Sequence, residues 1–270
     1  MTGVTLEGKR IVITGGSQGL GKGIAEYATQ LGAAAIIICG RDESKGRIAA
    51  SEIGRTGTPC EFVRADLQYE NDCRGVIETA INTFGGIDGL VNAAGVTDRG
   101  TIDDTTVESW DYIMNVNARA PFILMQEFVR HARNRGGGGS IVNMISDNCH
   151  GGEPYLTAYA SSKGALATLT KNVAHSVRYD RIRVNGICLG WTYTPHEHEV
   201  QIASGQPEDW LDVVEASKPF GRLLLPKDLA YLAGLLLSDQ AEMMTGSLID
   251  YDQKVIGAFG HIMEEQETAQ

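Results

Sequence analysis

Thr14-Gly15-Gly16-Ser17-Gln18-Gly19-Leu20-Gly21 stands where a short apolar run, Arg10 to Thr14, gives way to a stretch of helical periodicity, Leu20 to Leu31. Glycines let a backbone turn sharply and approach a ligand closely. The free N–H groups and dipole of a helix start favour a phosphate. The turn therefore reads as a pyrophosphate cradle between a strand and a helix, with Gly15, Ser17, Gln18, Gly19, Leu20 and Gly21 as its ligand-facing residues. Its Gly-x-x-x-Gly-x-Gly spacing departs from the usual Gly-x-Gly-x-x-Gly fingerprint, so taken alone it is equally a plain turn.

Outward from this turn, short apolar runs alternate with longer helical patterns, the signature of βαβ units and a parallel sheet. Strands are expected at Ala35–Cys39, Glu61–Arg64, Gly89–Val91, Ser140–Ile145, Arg183–Cys188 and Leu248–Tyr251. Helices are expected over Ser44–Ile53, Glu70–Phe84, Glu108–Asn117, Pro121–Asn134, Tyr159–Tyr179 and Lys227–Leu237. The run Gly136–Gly139 must be a turn, and a polar excursion leads from Cys188 to Pro219. There is no repeat and no linker, so residues 1–270 read as one α/β domain, a doubly wound parallel sheet with helices on both faces.

Composition bounds the function. Hydrophobic residues form 43% of the chain and charged residues 21%, as in a folded protein. A formal charge of -11 argues against a nucleic-acid partner, which requires clustered Lys and Arg. Met1 to Arg10 lacks the apolar stretch of a signal peptide, and no apolar run approaches the roughly 20 residues that span a bilayer, so a cytoplasmic location with no membrane partner is expected. Cys39, Cys60, Cys73, Cys149 and Cys188 form no Cys-x-x-Cys pair and read as reduced thiols. His196-Glu197-His198-Glu199 matches no metalloenzyme spacing and reads as a solvated helix start. No metal is expected.

A second chemical feature is Tyr159-Ala160-Ser161-Ser162-Lys163. Residues four apart share a helix face, so the phenol and the ammonium can point into one site. A tyrosine is a poor base at neutral pH, but a nearby positive charge favours the phenolate, and Lys163 is placed to supply it. Ser146, just past a strand, can bond a substrate oxygen. By itself this spacing equally describes a surface pair.

Together in this order, the glycine turn, Ser146 and Tyr159-x-x-x-Lys163 resemble the classical branch of the short-chain dehydrogenase/reductase family, over nearly the whole chain. Asn92-Ala93-Ala94-Gly95 is similar to the family's Asn-Asn-Ala-Gly element, with one Asn replaced. Asn117 matches its helix asparagine and Asp66-Leu67 its adenine-contacting element. The resemblance implies seven parallel strands, a nicotinamide cofactor, and Asn117, Ser146, Tyr159 and Lys163 as the catalytic set. Tyr159 would move a proton while hydride passes to or from the cofactor, with Lys163 holding the ribose. Asn92, Ala93, Gly95, Gly190, Thr192 and Thr194 would complete the cofactor site. The family's helices also imply a homotetramer.

At the end of the second strand, Cys39-Gly40-Arg41 lacks the Asp usual in NAD-dependent members, and Arg41 can pair with a 2′-phosphate. NADP(H) is favoured; Gln18 and the neighbouring Asp42 leave NAD(H) open. Asp147, Asn148, Trp191 and the loop of about residues 191–219 are expected to face the substrate. The polar surroundings, which include His150, Thr97, Asp98 and Arg99, suit a sugar or polyol, unless these side chains face solvent. A 3-oxoacyl-thioester reductase, docking its acidic carrier on Arg119, Arg130, Arg133 and Arg135, is the alternative enzyme, and a non-catalytic nicotinamide-binding regulator the alternative of another class. Leu189 where the family carries Pro is a departure expected to loosen the turn that brings the backbone near Thr192 to the carboxamide, and Asp250-Tyr251-Asp252-Gln253-Lys254 at the end is one that belongs either to the pocket rim or to subunit contacts.

Overall fold

Runs such as Ala35-Ile36-Ile37-Ile38-Cys39 bury every side chain, which only a strand covered on both faces can do. In the computed structural model, which describes residues 3–257, these runs pair as seven parallel strands. They are β1 (Arg10–Thr14), β2 (Ala35–Gly40), β3 (Cys60–Arg64), β4 (Gly89–Asn92), β5 (Gly139–Met144), β6 (Ile182–Leu189) and β7 (Leu248–Tyr251), in the spatial order β3-β2-β1-β4-β5-β6-β7. Successive side chains alternate faces. Ile11 and Ile13 accordingly join one core with Ile36, Ile38 and Leu229, while Val12 joins the other with Ile37, Leu90 and Phe128.

Helices α1 (Gly19–Gln30), α2 (Glu43–Gly54), α3 (Glu70–Phe84), α4 (Val107–Met114), α5 (Ala120–Asn134), α6 (Thr157–Val177) and α9 (Pro226–Leu237) cover the sheet. The glycine run before β5 turns as expected, with Gly136, Gly137, Gly138 and Gly139 all at positive φ and Gly137 N–H bonded to Ala132 O at 2.7 Å.

Three local features go beyond the sequence reading. The two helices expected over Glu108–Asn117 and Pro121–Asn134 are continuous, joined by a π-helical segment, Asn115–Arg119. A short 3-10 helix, Asp147–His150, follows Ser146. The polar excursion is itself helical, with α7 (Pro195–Ala203) and α8 (Trp210–Ala216). Among the described residues, no helix is long and apolar enough to cross a membrane.

Strand order reverses between β1, which leads to β2, and β4, which leads to β5. The crevice for a ligand opens at the carboxyl ends of the strands at such a point. At the opposite ends, Arg10 at the start of β1 donates from Nε to Asp88 at 2.8 Å, and Arg135 also binds Asp88. Burial opposes ionisation of Asp88, but the hydrogen bonds from Arg10 and Arg135 outweigh it and hold the carboxyl at about 2.

A depressed carboxylate stabilises the fold above its unfolded value near 4, and this contribution disappears as pH falls through the folded value near 2. Asp88→Asn is therefore expected to cost about 2 kcal/mol at pH 7. The gap from the parent should shrink between pH about 4 and 2, as read by urea denaturation across that range.

Candidate active site

The glycine turn bends as its composition requires. Gly15 lies at φ 67° and Gly19 at φ 54°, in the left-handed region that glycine enters without penalty. A Cβ on Gly21 would stand 2.4 Å from the Gly15 carbonyl oxygen, so this position admits hydrogen alone. Helix α1 starts directly after Gln18 with no side chain capping it and no acidic residue in its first turn, leaving its N–H groups to the crevice. Ser17, Gln18 and Leu20 line the same crevice.

Further along it, Arg41 stands at the mouth, and its Nη1 donates to the Tyr112 hydroxyl at 2.8 Å. Asp66 and Leu67 form the adjacent wall after β3, Asp66 accepting from the Gln68 amide N–H at 3.2 Å. Ala93 and Gly95 form the opposite wall, and Thr194 also lines the crevice, beside Gly19 of the glycine turn.

Asn92 departs from its expected place in the cofactor site. Its side chain is buried in the sheet, with Nδ2 donating to Asn143 Oδ1 at 2.8 Å. It braces β4 against β5 instead of lining the crevice. Gly190 is likewise buried, and the Asp252 carboxylate occupies the space where its Cβ would be, 2.1 Å from Asp252 Cγ. Thr192 Oγ1 turns back to Gly190 O at 3.0 Å.

The other cluster forms where β5, the π-helical segment and α6 meet. Ser146 is buried, caps the 3-10 helix by accepting from Asn148 N–H at 3.1 Å, and is the hydrogen-bond partner of the Tyr159 phenol. Asp147 and Asn148 surround this hydroxyl, Ser146 Oγ reaching Asp147 Oδ1 at 3.2 Å. The Lys163 ammonium lies 5.7 Å from the Tyr159 ring centre and donates to Met144 O at 2.8 Å.

Asn117 is fully buried in the π-helical segment. Its amide bonds both Val96 N–H and Val96 O at 2.9 Å and Ser162 Oγ at 3.0 Å. A π-bulge re-aims a single side chain inside a helix, as it does here. A Cβ on Gly95 would come within 3.4 Å of Asn117 Oδ1 and 3.6 Å of Lys163 Nζ, so glycine keeps the space before the ammonium clear.

Electrostatics here differ from the expectation that Lys163 lowers the Tyr159 pKa. Burial pushes the Tyr159 phenol up to about 12, against the hydrogen bond from Ser146 and with the help of the Asp147 and Glu197 charges. Burial also pushes the Lys163 ammonium down to about 8. The ammonium is turned to the Met144 carbonyl, and loss of water outweighs its distant charge.

Glu197 is the residue the sequence reading missed. His196–Glu199 is not uniformly solvated. It opens α7, where Thr194 caps by accepting from Glu197 N–H at 3.0 Å, and this turn directs Glu197 inward. Glu197 Oε1 accepts from Trp191 Nε1 at 2.8 Å and from Gln201 Nε2 at 2.7 Å. Thr194-Pro195-His196-Glu197, a cap followed three residues later by Glu, was the available signal. Trp191 stacks on Trp210 with ring centres 5.7 Å apart, and His198 stacks on the other ring at 6.1 Å. Of the polar set expected near the substrate, Thr97, Asp98 and Arg99 are exposed, and Arg99 lies over the Tyr155 ring.

Residues 9–204 match the model of the short chain dehydrogenase family. The chain belongs to the short-chain dehydrogenase/reductase family. This dehydrogenase is 33% identical over 249 residues to an uncharacterized oxidoreductase of Thermotoga maritima, covering 92% of this chain and 98% of the relative. It is 32% identical to an NADP-dependent (R)-specific alcohol dehydrogenase of Lentilactobacillus kefiri, over 90% of this chain and 94% of that one. A crystal structure of a short-chain type dehydrogenase/reductase from Mycobacterium marinum superposes with a TM-score of 0.85 at 29% identity, covering 94% and 98% of the two chains. Such homology makes it an NAD(P)-dependent oxidoreductase.

The residues present fit a dinucleotide: the uncapped start of α1, the Cβ-free positions Gly15 and Gly21, and the cleared space at Gly95 form one continuous channel. Gly21→Ala is expected to weaken dinucleotide binding at least tenfold, because the added methyl must displace the Gly15 peptide. Cofactor fluorescence titration measures this, and unchanged binding would refute the cradle assignment.

Proposed function

We propose that this dehydrogenase interconverts a secondary alcohol and a ketone on a hydroxyl-rich substrate, a sugar or polyol, with NADP(H) as the favoured cofactor. The carrying observation is the pair of buried Ser146 and half-buried Tyr159, with the Asp147 carboxylate and the Asn148 amide at the Ser146 hydroxyl and the Glu197 charge acting on the phenol. Carboxylates accept hydrogen bonds from hydroxyl groups and reward a substrate that presents several.

When bound, the nicotinamide supplies or accepts the hydride. Tyr159 gives a proton to the nascent alkoxide in reduction, or takes one from the alcohol in oxidation. Ser146 orients and polarises the reacting oxygen. Lys163 holds the ribose hydroxyls, and Asn117, bonded to Val96 and Ser162, positions the channel wall beside it. Trp191 and the aromatic stack behind it exclude water from the substrate side.

Arg41 supports NADP(H). Gly40 offers no carboxylate for a ribose hydroxyl, and Asp42 is engaged as the N-cap of α2, accepting from Lys45 N–H at 3.0 Å and from Ser44 Oγ at 3.1 Å. The arginines that would dock an acidic carrier protein are committed elsewhere: Arg119 to Gln68 O, Arg130 to Glu127, Arg133 to Asp180 and Arg135 to Asp88. This weighs against a 3-oxoacyl-thioester substrate. A homotetramer built on α5 and α6 is part of the same reading, supported by exposed Phe122 on α5. So is cytoplasmic action, supported by five free cysteines. Residues 1–270 act as one domain in this reading.

Tyr159→Phe should lower turnover at least a hundredfold while leaving cofactor binding near the parent value; parent-rate turnover would refute the mechanism. Arg41→Ala should weaken NADPH about tenfold and NADH little, in paired binding titrations. A screen of polyols, sugars, simple ketones and 3-oxoacyl thioesters by cofactor absorbance tests the substrate class, and silence with every hydroxyl-rich compound refutes it. Because the phenol keeps its proton up to about 12, alcohol oxidation should climb with pH from neutral upward. Ketone reduction, which needs the protonated phenol, should stay flat through neutral pH; pH–rate profiles in both directions check the pair.

A further inference from the structure

Cys188 and Asp250 are register partners in the β6/β7 ladder. Side chains on paired residues of adjacent strands leave the same face of a sheet. The 3-10 helix Asp147–His150 lies over this face and delivers Cys149 and His150 to it. Cys149 Sγ lies 3.8 Å from Cys188 Sγ, and one ligand atom from each of Cys149, His150 and Cys188 falls within 4.8 Å of the others. None of the three lines the cofactor crevice.

We propose that Cys149, His150 and Cys188 bind a zinc ion that clasps the segment after Ser146 to the ends of β6 and β7. A tetrahedral zinc with bonds to sulfur of about 2.3 Å has sulfur–sulfur edges of about 3.8 Å. The two thiols already stand at that spacing, so the metal enters without moving the strand. A disulfide would instead need the sulfurs at about 2.05 Å, and it would have no use for a third donor.

His150 Nε2 pairs with Asp250 Oδ1 at 3.2 Å, which leaves Nδ1 for the metal. A carboxylate holding the far nitrogen of a ligating imidazole fixes its ring and raises its basicity. Two sulfurs and an imidazole select zinc over the oxygen-seeking magnesium and calcium. Cys188 is fully buried, while the His150 side chain keeps 42% of its exposure, so solvent water reaches the fourth position. Each thiol releases its proton to solvent as its sulfur–zinc bond forms, with no change of oxidation state.

The consequence for the protein is mechanical. Gly151 and Gly152, at φ 83° and 104°, end the 3-10 helix and leave it weakly restrained on that side. Zinc at Cys149 and His150 would hold in place the adjoining Asp147 and Asn148, which surround the Ser146 hydroxyl.

The test uses the full chain, grown with zinc, purified with reductant and dialysed, and counted by mass-spectrometric metal analysis. About one zinc per chain is expected in the parent, and less than a tenth of that in Cys149→Ser and in His150→Ala. Asp250→Asn should weaken zinc about 10- to 100-fold. Cobalt(II) exchanged into the parent should give a thiolate-to-metal charge-transfer band in the near ultraviolet, lost in the double variant Cys149→Ser with Cys188→Ala. Zinc should raise the melting temperature of the parent and leave that of folded Cys149→Ser unchanged. The proposal is overturned by a folded parent with neither zinc nor a cobalt band. It is equally overturned by zinc retained undiminished in Cys149→Ser, or by a Cys149–Cys188 disulfide that persists in zinc buffer.

Discussion

The Thr14 hydroxyl sits at the gap where the sheet changes direction, and the crevice depends on it. Its oxygen accepts from Ala93 N–H and from Ala94 N–H, each at 3.0 Å. Those two amides have left the β4 ladder and would otherwise be buried without partners. One side chain at the end of β1 thus secures the chain as it exits β4. Ala94 consequently packs so near Gly15 that a Cβ there would lie 2.9 Å from Ala94 Cα. The glycine turn and the Asn-Ala-Ala-Gly element are two walls of one structure, and the width between them is set by this contact.

A chain of buried polar groups carries the same positional control to α6. Asn92 Nδ2 bonds Asn143 Oδ1, Asn143 Nδ2 bonds Thr170 Oγ1 at 2.9 Å, and Thr170 Oγ1 bonds Leu166 O at 2.8 Å. A second link runs from Val96 through Asn117 to Ser162. Hydrogen bonds in a low-dielectric interior are costly to break, because each leaves a desolvated group behind. They therefore fix the rotation of α6 about its own axis more sharply than apolar packing does. That rotation decides where Tyr159 and Lys163 point. Asn92 Oδ1 is the buried side-chain atom among the described residues that has no partner, and it marks where the network stops.

The sheet was legible in the sequence because strands such as β1 and β2 are buried on both faces and read as apolar runs, while the edge strands β3 and β7, only partly buried, were placed by the alternation with helices; each of the seven appears within a residue or two of its expected place. Ser146, Tyr159 and Lys163 were legible as a set through spacing, since 3.6 residues per turn puts Tyr159 and Lys163 on one face wherever the helix lies. What escaped were directions set by tertiary contact. No periodicity distinguishes Asn92 turned into the sheet from Asn92 turned into the crevice. Asp42 looked like a rival for the ribose until α2 was seen to begin on it. Glu197 was hidden in a stretch whose alternating His and Glu suggested solvent, and its inward turn follows from the cap on Thr194 and the partners Trp191 and Gln201. In the C-terminal departure, Lys254 reaches Asp147 at 3.5 Å and Asp252 backs Gly190, contacts between distant segments that no periodicity signals.

Burial acts on the two ionisable groups of α6 in opposite senses, and this clarifies how the site is poised. The phenol is pushed up to about 12 and the ammonium down to about 8, so both are biased toward their neutral forms. Burial thus disfavours the phenolate, which forms more readily when something favours negative charge beside it. The Ser146 hydroxyl already does so; Asp147 and Glu197 oppose it. Either carboxylate, once hydrogen-bonded to substrate hydroxyls, would have its charge partly satisfied and its repulsion of the phenolate reduced. On the proposed hydroxyl-rich substrate, the contacts that recognise it would then also release the base that acts on it, coupling recognition to proton transfer through charge rather than through movement of the backbone.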